Sequence, residues 1–187
     1  MRVLHGEPLA AHTTLHVGGP ARNFVVAESE TEIIDTIRDC DARGEPLFVL
    51  GGGSNVVMSD AGFDGTVLHI ASKGMQVETA ACAGATVTVA AGEVWDDFVA
   101  TAVEREWSGV EALGGIPGTV GATPIQNVGA YGQDVSQTIA RVRAYDRVSR
   151  ETRTFLFEQC GFGYRTSVFK QHRSRLVILD VQYQLRL

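Results

Sequence analysis

Between Gly109 and Gly132 the chain reads GVEALGGIPGTVGATPIQNVGAYG, with seven glycines and two prolines in 24 residues. Glycine maximises backbone entropy, and proline fixes φ and removes a donor, so no long helix or strand can run through this stretch. It is not a plain linker either. Ile116, Val120, Ile125, Val128 and Tyr131 are interleaved with the glycines, and a solvated linker gains nothing from apolar side chains. A fold that contains this segment must set regular elements on both sides of an irregular wrap. Such a wrap lets the backbone approach a flat, largely apolar ligand, with Thr119, Gln126 and Asn127 offering hydrogen bonds.

A second glycine cluster, LGGGSN (Leu50 to Asn55), follows the apolar run PLFVL. Placed in G-x-G-x-x-G register it puts Val56 where the third glycine belongs, and no Gly-Lys-Ser/Thr follows, so neither the Rossmann fingerprint nor a P-loop is present. Taken alone, the loop reads equally as a tight turn and as a nest of N–H groups for a phosphate. Taken with the wrap downstream, it suggests a ligand with a diphosphate at one end and a heteroaromatic system at the other, which describes a dinucleotide.

The remaining pattern predicts an α+β fold. NFVVAES (Asn23 to Ser29) reads as a buried strand, and Ser29 with Glu32 three residues later opens a helix. Ile33, Ile34, Ile37 and Cys40 form one face of that helix, and Arg43-Gly44 end it. PLFVL and TVLHI (Thr66 to Ile70) are further strands. From Met75 the runs MQVETAA and ATVTVAA predict a hairpin turning at Cys82 to Gly84. A helix from about Val94 to Glu106 carries Trp95, Phe98, Val99, Ala102 and Val103 at helical spacing, read as core packing. TIARVRAYD and TRTFLF flank a polar turn near Ser149, and RLVILDVQYQLRL is a last strand. The switch from β-α-β to hairpins sets the expected division at residues 1–72 and 73–187.

Composition narrows the function classes. Hydrophobic residues make up 44% and charged residues 20%, a globular balance. The net charge of −6 with no run of Lys or Arg argues against an extended nucleic-acid partner. No apolar run approaches the roughly 18 residues that span a bilayer, and the N-terminus lacks a signal-peptide core, so the expectation is a cytoplasmic protein with no membrane partner. Three widely spaced cysteines, Cys40, Cys82 and Cys160, with no C-x-x-C pair, read as buried free thiols. Five histidines without an H-E-x-x-H arrangement give no expectation of a metal.

Four segments, TTLHVGGPA (Thr13 to Ala21), LGGGSN, GGIPGTVGATPIQNVGAYG and FGYRTSVFK, occur in an order and spacing that resemble the bacterial UDP-N-acetylenolpyruvoylglucosamine reductase family, flavoproteins of peptidoglycan precursor synthesis. The resemblance spans nearly the whole chain. It implies the two-lobed FAD-binding fold of the vanillyl-alcohol oxidase (PCMH) type, with residues 1–72 as a β-α-β lobe and 73–187 as a larger mixed lobe. FAD would be held non-covalently, with its pyrophosphate at Gly51, Gly52, Gly53, Ser54 and Asn55. The isoalloxazine would lie near the segment from Gly115 to Tyr131, with contacts at Gly115, Ile116, Pro117, Gly118, Thr119, Gly121, Ala122, Thr123, Ile125, Gln126, Asn127, Gly129, Ala130 and Tyr131.

In that family NADPH reduces FAD, and the flavin passes a hydride to the enolpyruvyl double bond of UDP-N-acetylglucosamine enolpyruvate, giving UDP-N-acetylmuramate. The motif arginine falls on Arg165, implied to stabilise charge developing at the substrate carboxylate, with Tyr164 also a substrate contact. Ser167 and Lys170 of the same motif are implied to position it. Family members continue into a C-terminal domain that supplies a proton-donating serine and an assisting glutamate. This chain ends at Leu187, so the expectation is the FAD-binding portion, inactive alone. Two other readings stay open: a different FAD-dependent oxidoreductase of the same fold, for which His69 and Cys160 are the candidate covalent tethers, and a non-catalytic nucleotide-binding module.

Overall fold

The computed structural model describes residues 1–80 and 84–187. Cys82 and the turn expected around it lie outside the described residues. The chain divides into two compact units, Met1–Ser72 and Lys73–Leu187.

The first unit is a four-stranded sheet. Its strands are β1 (Arg2–Pro8), β2 (Pro20–Ala27), β3 (Leu47–Leu50) and β4 (Phe63–Ile70), in the order β1-β2-β4-β3. β1 runs antiparallel to β2, while β2 and β3 both run parallel to β4. The expected β-α-β unit is therefore a crossover that leaves room for a third strand: β3 pairs with β4 and not with β2. The crossover helix α1 (Glu30–Arg43) starts where Ser29 Oγ accepts from Glu32 N–H at 3.2 Å, and it ends at Gly44 in the left-handed region. Ile33, Thr36, Ile37 and Cys40 are its buried residues, with Ile34 only half-buried. Leu9, Ala21, Phe24, Val26, Leu50 and Val67 form an apolar cluster in the same unit. β1, which the sequence presents as a polar start, is mostly exposed; its pairing with β2 and not its own hydrophobicity makes it a strand.

The second unit is built on a five-stranded antiparallel sheet. In chain order its strands are β5 (Met75–Ala80), β6 (Gly84–Ala90), β9 (Ile139–Asp146), β10 (Glu151–Leu156) and β11 (Leu176–Leu185), arranged β10-β9-β11-β6-β5. Two short strands, β7 (Gly129–Ala130) and β8 (Gln133–Asp134), make a separate hairpin. Helix α2 (Trp95–Glu104) buries Trp95, Phe98, Val99 and Ala102, while Val103 faces solvent. Trp95 and Phe98 pack on Tyr183 of β11 with ring centroids 6.0 and 4.9 Å apart, and Trp95 Nε1–H donates to Leu113 O at 3.0 Å. Core packing thus accounts for Trp95. A last helix, α3 (Val168–Gln171), is a single turn capped by Ser167.

The turn between β9 and β10 closes on Asp146, whose carboxylate is fully buried. It accepts from Arg175 Nε and Nη2 at 2.7 and 2.6 Å, from Arg153 Nη1 at 3.0 Å, and from the N–H groups of Val148 and Ser149 at 3.0 and 3.4 Å. The Arg175 contact, followed by those of Arg153 and the two amides, holds the Asp146 carboxyl far below the usual carboxylate range against the opposing effect of burial. No helix among the described residues is long and apolar enough to cross a membrane.

Candidate cofactor-binding site

In the first unit, β3 delivers the chain directly into Gly51–Asn55. Gly53 sits at φ 67°, and a Cβ placed there would stand 1.9 Å from the carbonyl oxygen of His12. Only glycine fits so close to another backbone. Gly53 O in turn accepts from Thr14 N–H at 3.1 Å. The loop is therefore fixed against the segment that precedes β2, which accounts structurally for one part of the TTLHVGGPA stretch. Between them lies an open cleft of about 250 Å³ lined by Ala11, His12, Thr13, Thr14, Gly51, Gly52 and His69. Gly52 and Asn55 are exposed, Gly51 and Ser54 half-buried. Hydroxyls, imidazoles and glycine backbone line the cleft, with no carboxylate among them. That donor set fits a diphosphate.

In the second unit the glycine-rich wrap is pinned at its middle, from Gly118 to Gly121. Gly118 O accepts from Trp95 N–H at 3.0 Å, Val120 N–H donates to Glu93 O at 2.9 Å, and Gly121 N–H to Ala91 O at 2.9 Å. A Cβ at Gly121 would come within 2.6 Å of the Ala91 Cβ, so this glycine serves packing. Thr123 is also turned inward. Its hydroxyl donates to Val120 O at 2.8 Å and meets the Tyr183 hydroxyl at 2.8 Å, and burial drives the Tyr183 phenol well above its usual range. Thr119 and Asn127 are buried as well. The surface of the wrap is made instead by Gly115, Pro117 and Tyr131, which are exposed, and by Ile116, Gly118, Ala122, Ile125, Gln126, Gly129 and Ala130, which are half-buried.

Three hydrogen bonds join this wrap to the FGYRTSVFK segment. Asn127 Nδ2–H donates to Gly163 O at 3.2 Å, Arg165 Nη2–H to Gly129 O at 2.6 Å, and Ser167 Oγ–H to Ile125 O at 2.6 Å. Asn127 Oδ1 also accepts from Ser136 N–H at 3.1 Å, so both ends of its amide are engaged by protein. Tyr164 and Arg165 occupy the middle of a tight turn closed by Gly163 and Thr166. Lys170 Nζ donates to Arg165 O at 2.8 Å, and the Arg165 guanidinium stands 5.9 Å from the Tyr164 ring centre. Non-glycine residues rarely take positive φ, yet Asn127, Tyr131 and Arg165 do so at 45°, 51° and 53°. Their grouping in this part of the unit is the kind of local strain that collects at functional sites. Tyr131 with Gly132 forms the two-residue loop between β7 and β8, both at positive φ, which throws the tyrosine ring outward. Tyr131 and Tyr164 are each 93% exposed.

The tether candidates part company. Cys160 is fully buried, and desolvation pushes its thiol up to about 12, which keeps it protonated and unreactive. His69 lines the first unit's cleft. His12 and His16 stand four apart in the sequence but share no helical turn, since His12 ends a short 3-10 turn and His16 lies beyond it at φ 53°. His12 is not among the candidate cofactor contacts, and His69 enters only as a candidate tether of the alternative oxidoreductase; the sequence marks the cleft by its glycines and gives no sign that these two imidazoles stand opposite them.

The architecture is that of an FAD-binding module. Residues 21–152 match the family described as FAD binding domain, and the chain belongs to that family, with FAD as its cofactor. A curated UDP-N-acetylenolpyruvoylglucosamine reductase from Cutibacterium acnes is 60% identical over 180 residues, covering 96% of this chain and 48% of that protein. Among solved structures, the UDP-N-acetylenolpyruvylglucosamine reductase from Thermus caldophilus superposes with a TM-score of 0.79 at 29% identity, over 100% of this chain and 63% of that one. A solvent-stable cholesterol oxidase shares the fold alone, with a TM-score of 0.65 at 14% identity, over 97% of this chain and 37% of the oxidase. The α+β class and the FAD-binding fold of the vanillyl-alcohol oxidase type are thereby established. The chain spans about half the length of the curated relatives it matches.

Proposed function

We infer that this chain is the FAD-binding portion of a UDP-N-acetylenolpyruvoylglucosamine reductase, an oxidoreductase that uses NADPH to convert UDP-N-acetylglucosamine enolpyruvate to UDP-N-acetylmuramate. The observation that carries this reading is the hydrogen-bonded join between the wrap and the Tyr164–Arg165 turn. It fits a surface built to hold a flat ring beside a fixed cation. The relatives of the same name support it. In the first unit Gly51 to Asn55 would take the diphosphate through backbone N–H groups. In the second, Gly115 to Tyr131 would offer the flavin ring its exposed and half-buried surface, and the inward-facing Gly121, Thr123 and Asn127 would keep that surface in shape. When bound, FAD supplies the hydride that NADPH provides.

Arg165 is the group we assign to the reaction. One of its N–H groups is held by Gly129 O, and the guanidinium has further donors to offer a carboxylate in its planar fork. Hydride arrival at one carbon of the enolpyruvyl group builds negative charge on its neighbour and the attached carboxylate. A cation already anchored there stabilises that charge without reorganising. Tyr164 would contact the substrate, Lys170 and Ser167 would hold the turn, and the proton donor is assigned to no residue of this chain. The buried free thiols of Cys40 and Cys160 support a reducing compartment, the cytoplasm.

The test begins with the purified chain. Its visible spectrum and the compound it releases on denaturation should be those of FAD. Joined to the remainder of a relative's sequence, it should oxidise NADPH with formation of the lactyl ether, and Arg165→Ala should lower turnover by about 10²-fold or more. Full activity of that variant would remove Arg165 from the mechanism.

A further inference from the structure

The cleft beside Gly51 and Gly52 has a second wall that no glycine motif announces. Ala11, His12, Thr13 and Thr14 line it from the segment entering β2, and His69 lines it from β4. Thr13 is committed to its own turn, its hydroxyl donating to Val17 O at 2.9 Å and accepting from Val17 N–H at 3.2 Å. Thr14 is exposed, and its N–H fastens this wall to Gly53 O. The His12 ring is held on two sides. It stacks on Phe24 of β2 with centroids 4.2 Å apart, and its Nε2 lies 2.9 Å from Glu7 Oε1 of β1. An ionised carboxylate only accepts, so Nε2 carries a proton in that contact. Nδ1 has no hydrogen-bond partner among the described residues. In the neutral ring that atom is an acceptor, which a phosphate oxygen repels; in the imidazolium it is a donor.

We propose that His12 is a protonation-dependent ligand of the FAD diphosphate, held by Glu7 through Nε2–H and donating Nδ1–H to a phosphate oxygen, with Thr14 and His69 completing the wall. This rests on the assignment of Gly51 to Asn55 to that diphosphate. The groups facing His12 are Glu7 from β1, opposite in charge to the imidazolium, and His69 from β4, of like charge when protonated and 6.1 Å away between ring centroids. Phe24 of β2 is neutral, and Gly51 to Asn55 carries no ionisable side chain. The diphosphate binds the charged ring in preference to the neutral one. By linkage, FAD binding takes up a proton, and affinity rises as pH falls.

Titration of the full chain with FAD, riboflavin and UDP at pH 8 and pH 6 tests this, using calorimetry for all three ligands. FAD should bind about tenfold more tightly at pH 6, the effect of one charge-assisted hydrogen bond gained, and riboflavin, which has no phosphate, should show no such dependence. His12→Phe, which keeps the stack on Phe24, should lose most of the FAD effect. Glu7→Gln, which removes the charge that holds the ring, should weaken it, and circular dichroism of both variants checks that they fold. An FAD affinity independent of pH, or a pH effect retained in His12→Phe, overturns the proposal. So does a His12 dependence carried by UDP and absent for FAD. Failure of the wild-type chain to bind FAD at either pH would instead remove the functional reading, and this inference with it.

Discussion

Asp146→Asn should weaken the second unit by about 3 kcal/mol at neutral pH. The native carboxylate accepts five hydrogen bonds, three at Oδ1 from Arg175 Nε and the Val148 and Ser149 amides, and two at Oδ2 from Arg153 and Arg175. Asparagine can keep its carbonyl toward the first set. Its NH₂ then faces two guanidinium N–H groups that have lost their acceptor. Charge-assisted bonds contribute roughly 1.5 to 3 kcal/mol each, and the lower figure applies here because both arginines are partly exposed and screened. Two such bonds give the 3 kcal/mol.

The pH dependence gives a second handle on the same residue. The folded-state carboxyl is depressed below its unfolded value, so its stabilisation is fully present above the unfolded pKa of about 4 and is lost as pH falls toward the folded one. Between pH 5 and pH 3 the wild type should lose roughly 1.2 kcal/mol that the variant, with no proton to bind, keeps. Urea unfolding followed by tryptophan fluorescence reads this unit alone, because Trp95 and Trp107 are the two tryptophans of the chain and both lie within it. A loss below about 1 kcal/mol at pH 7, together with parallel pH curves for the two proteins, would refute the reasoning.

Gly52→Val should abolish FAD retention while circular dichroism stays unchanged, since Gly52 is exposed at the cleft; retention of FAD would sink the diphosphate assignment. Gly53→Val should instead destabilise the first unit, because its Cβ would overlap the His12 carbonyl, and a thermal melt separates the two variants. Gly121→Ala should cost about 1 to 3 kcal/mol through overlap with Ala91, measured by the same urea titration as Asp146→Asn. Cys160 should resist alkylation at pH 8 in the native chain and react once urea unfolds it, as peptide mass mapping would show.

Local chemistry made α1 legible: an N-cap serine, an apolar stripe and a terminal glycine agree with one another, and each acts within a few residues of itself. β1 was not legible, because a mostly exposed edge strand owes its existence to β2 and not to any pattern of its own. Nor could the sequence tell that β4 separates β2 from β3, since strand order depends on contacts distant in the chain. The glycine-rich wrap announced itself by composition. Which of its residues turn inward did not, because the partners that fill the space at Gly121 and Thr123 are Ala91 and Tyr183, far away along the chain. Asp146 stands in the sequence only as the last residue of the strand TIARVRAYD, and its two arginines come from two other stretches. His12 was hidden for the same reason: Glu7, Phe24 and His69 meet it only in the folded sheet.

The join between the wrap and the Tyr164–Arg165 turn has a thermodynamic consequence. All three donors, on Asn127, Arg165 and Ser167, are side chains, and all three acceptors are main-chain carbonyls. The loops are thus tied down by the protein itself, with no ligand in the circuit. Ordering a loop residue costs roughly 1 to 2 kcal/mol of conformational entropy, and here that cost falls on folding and not on association. A molecule docking on this surface meets a receptor that has little freedom left to lose, so a larger share of its contact energy appears as affinity. The same rigidity narrows what can dock, because a surface that does not adjust discriminates by shape.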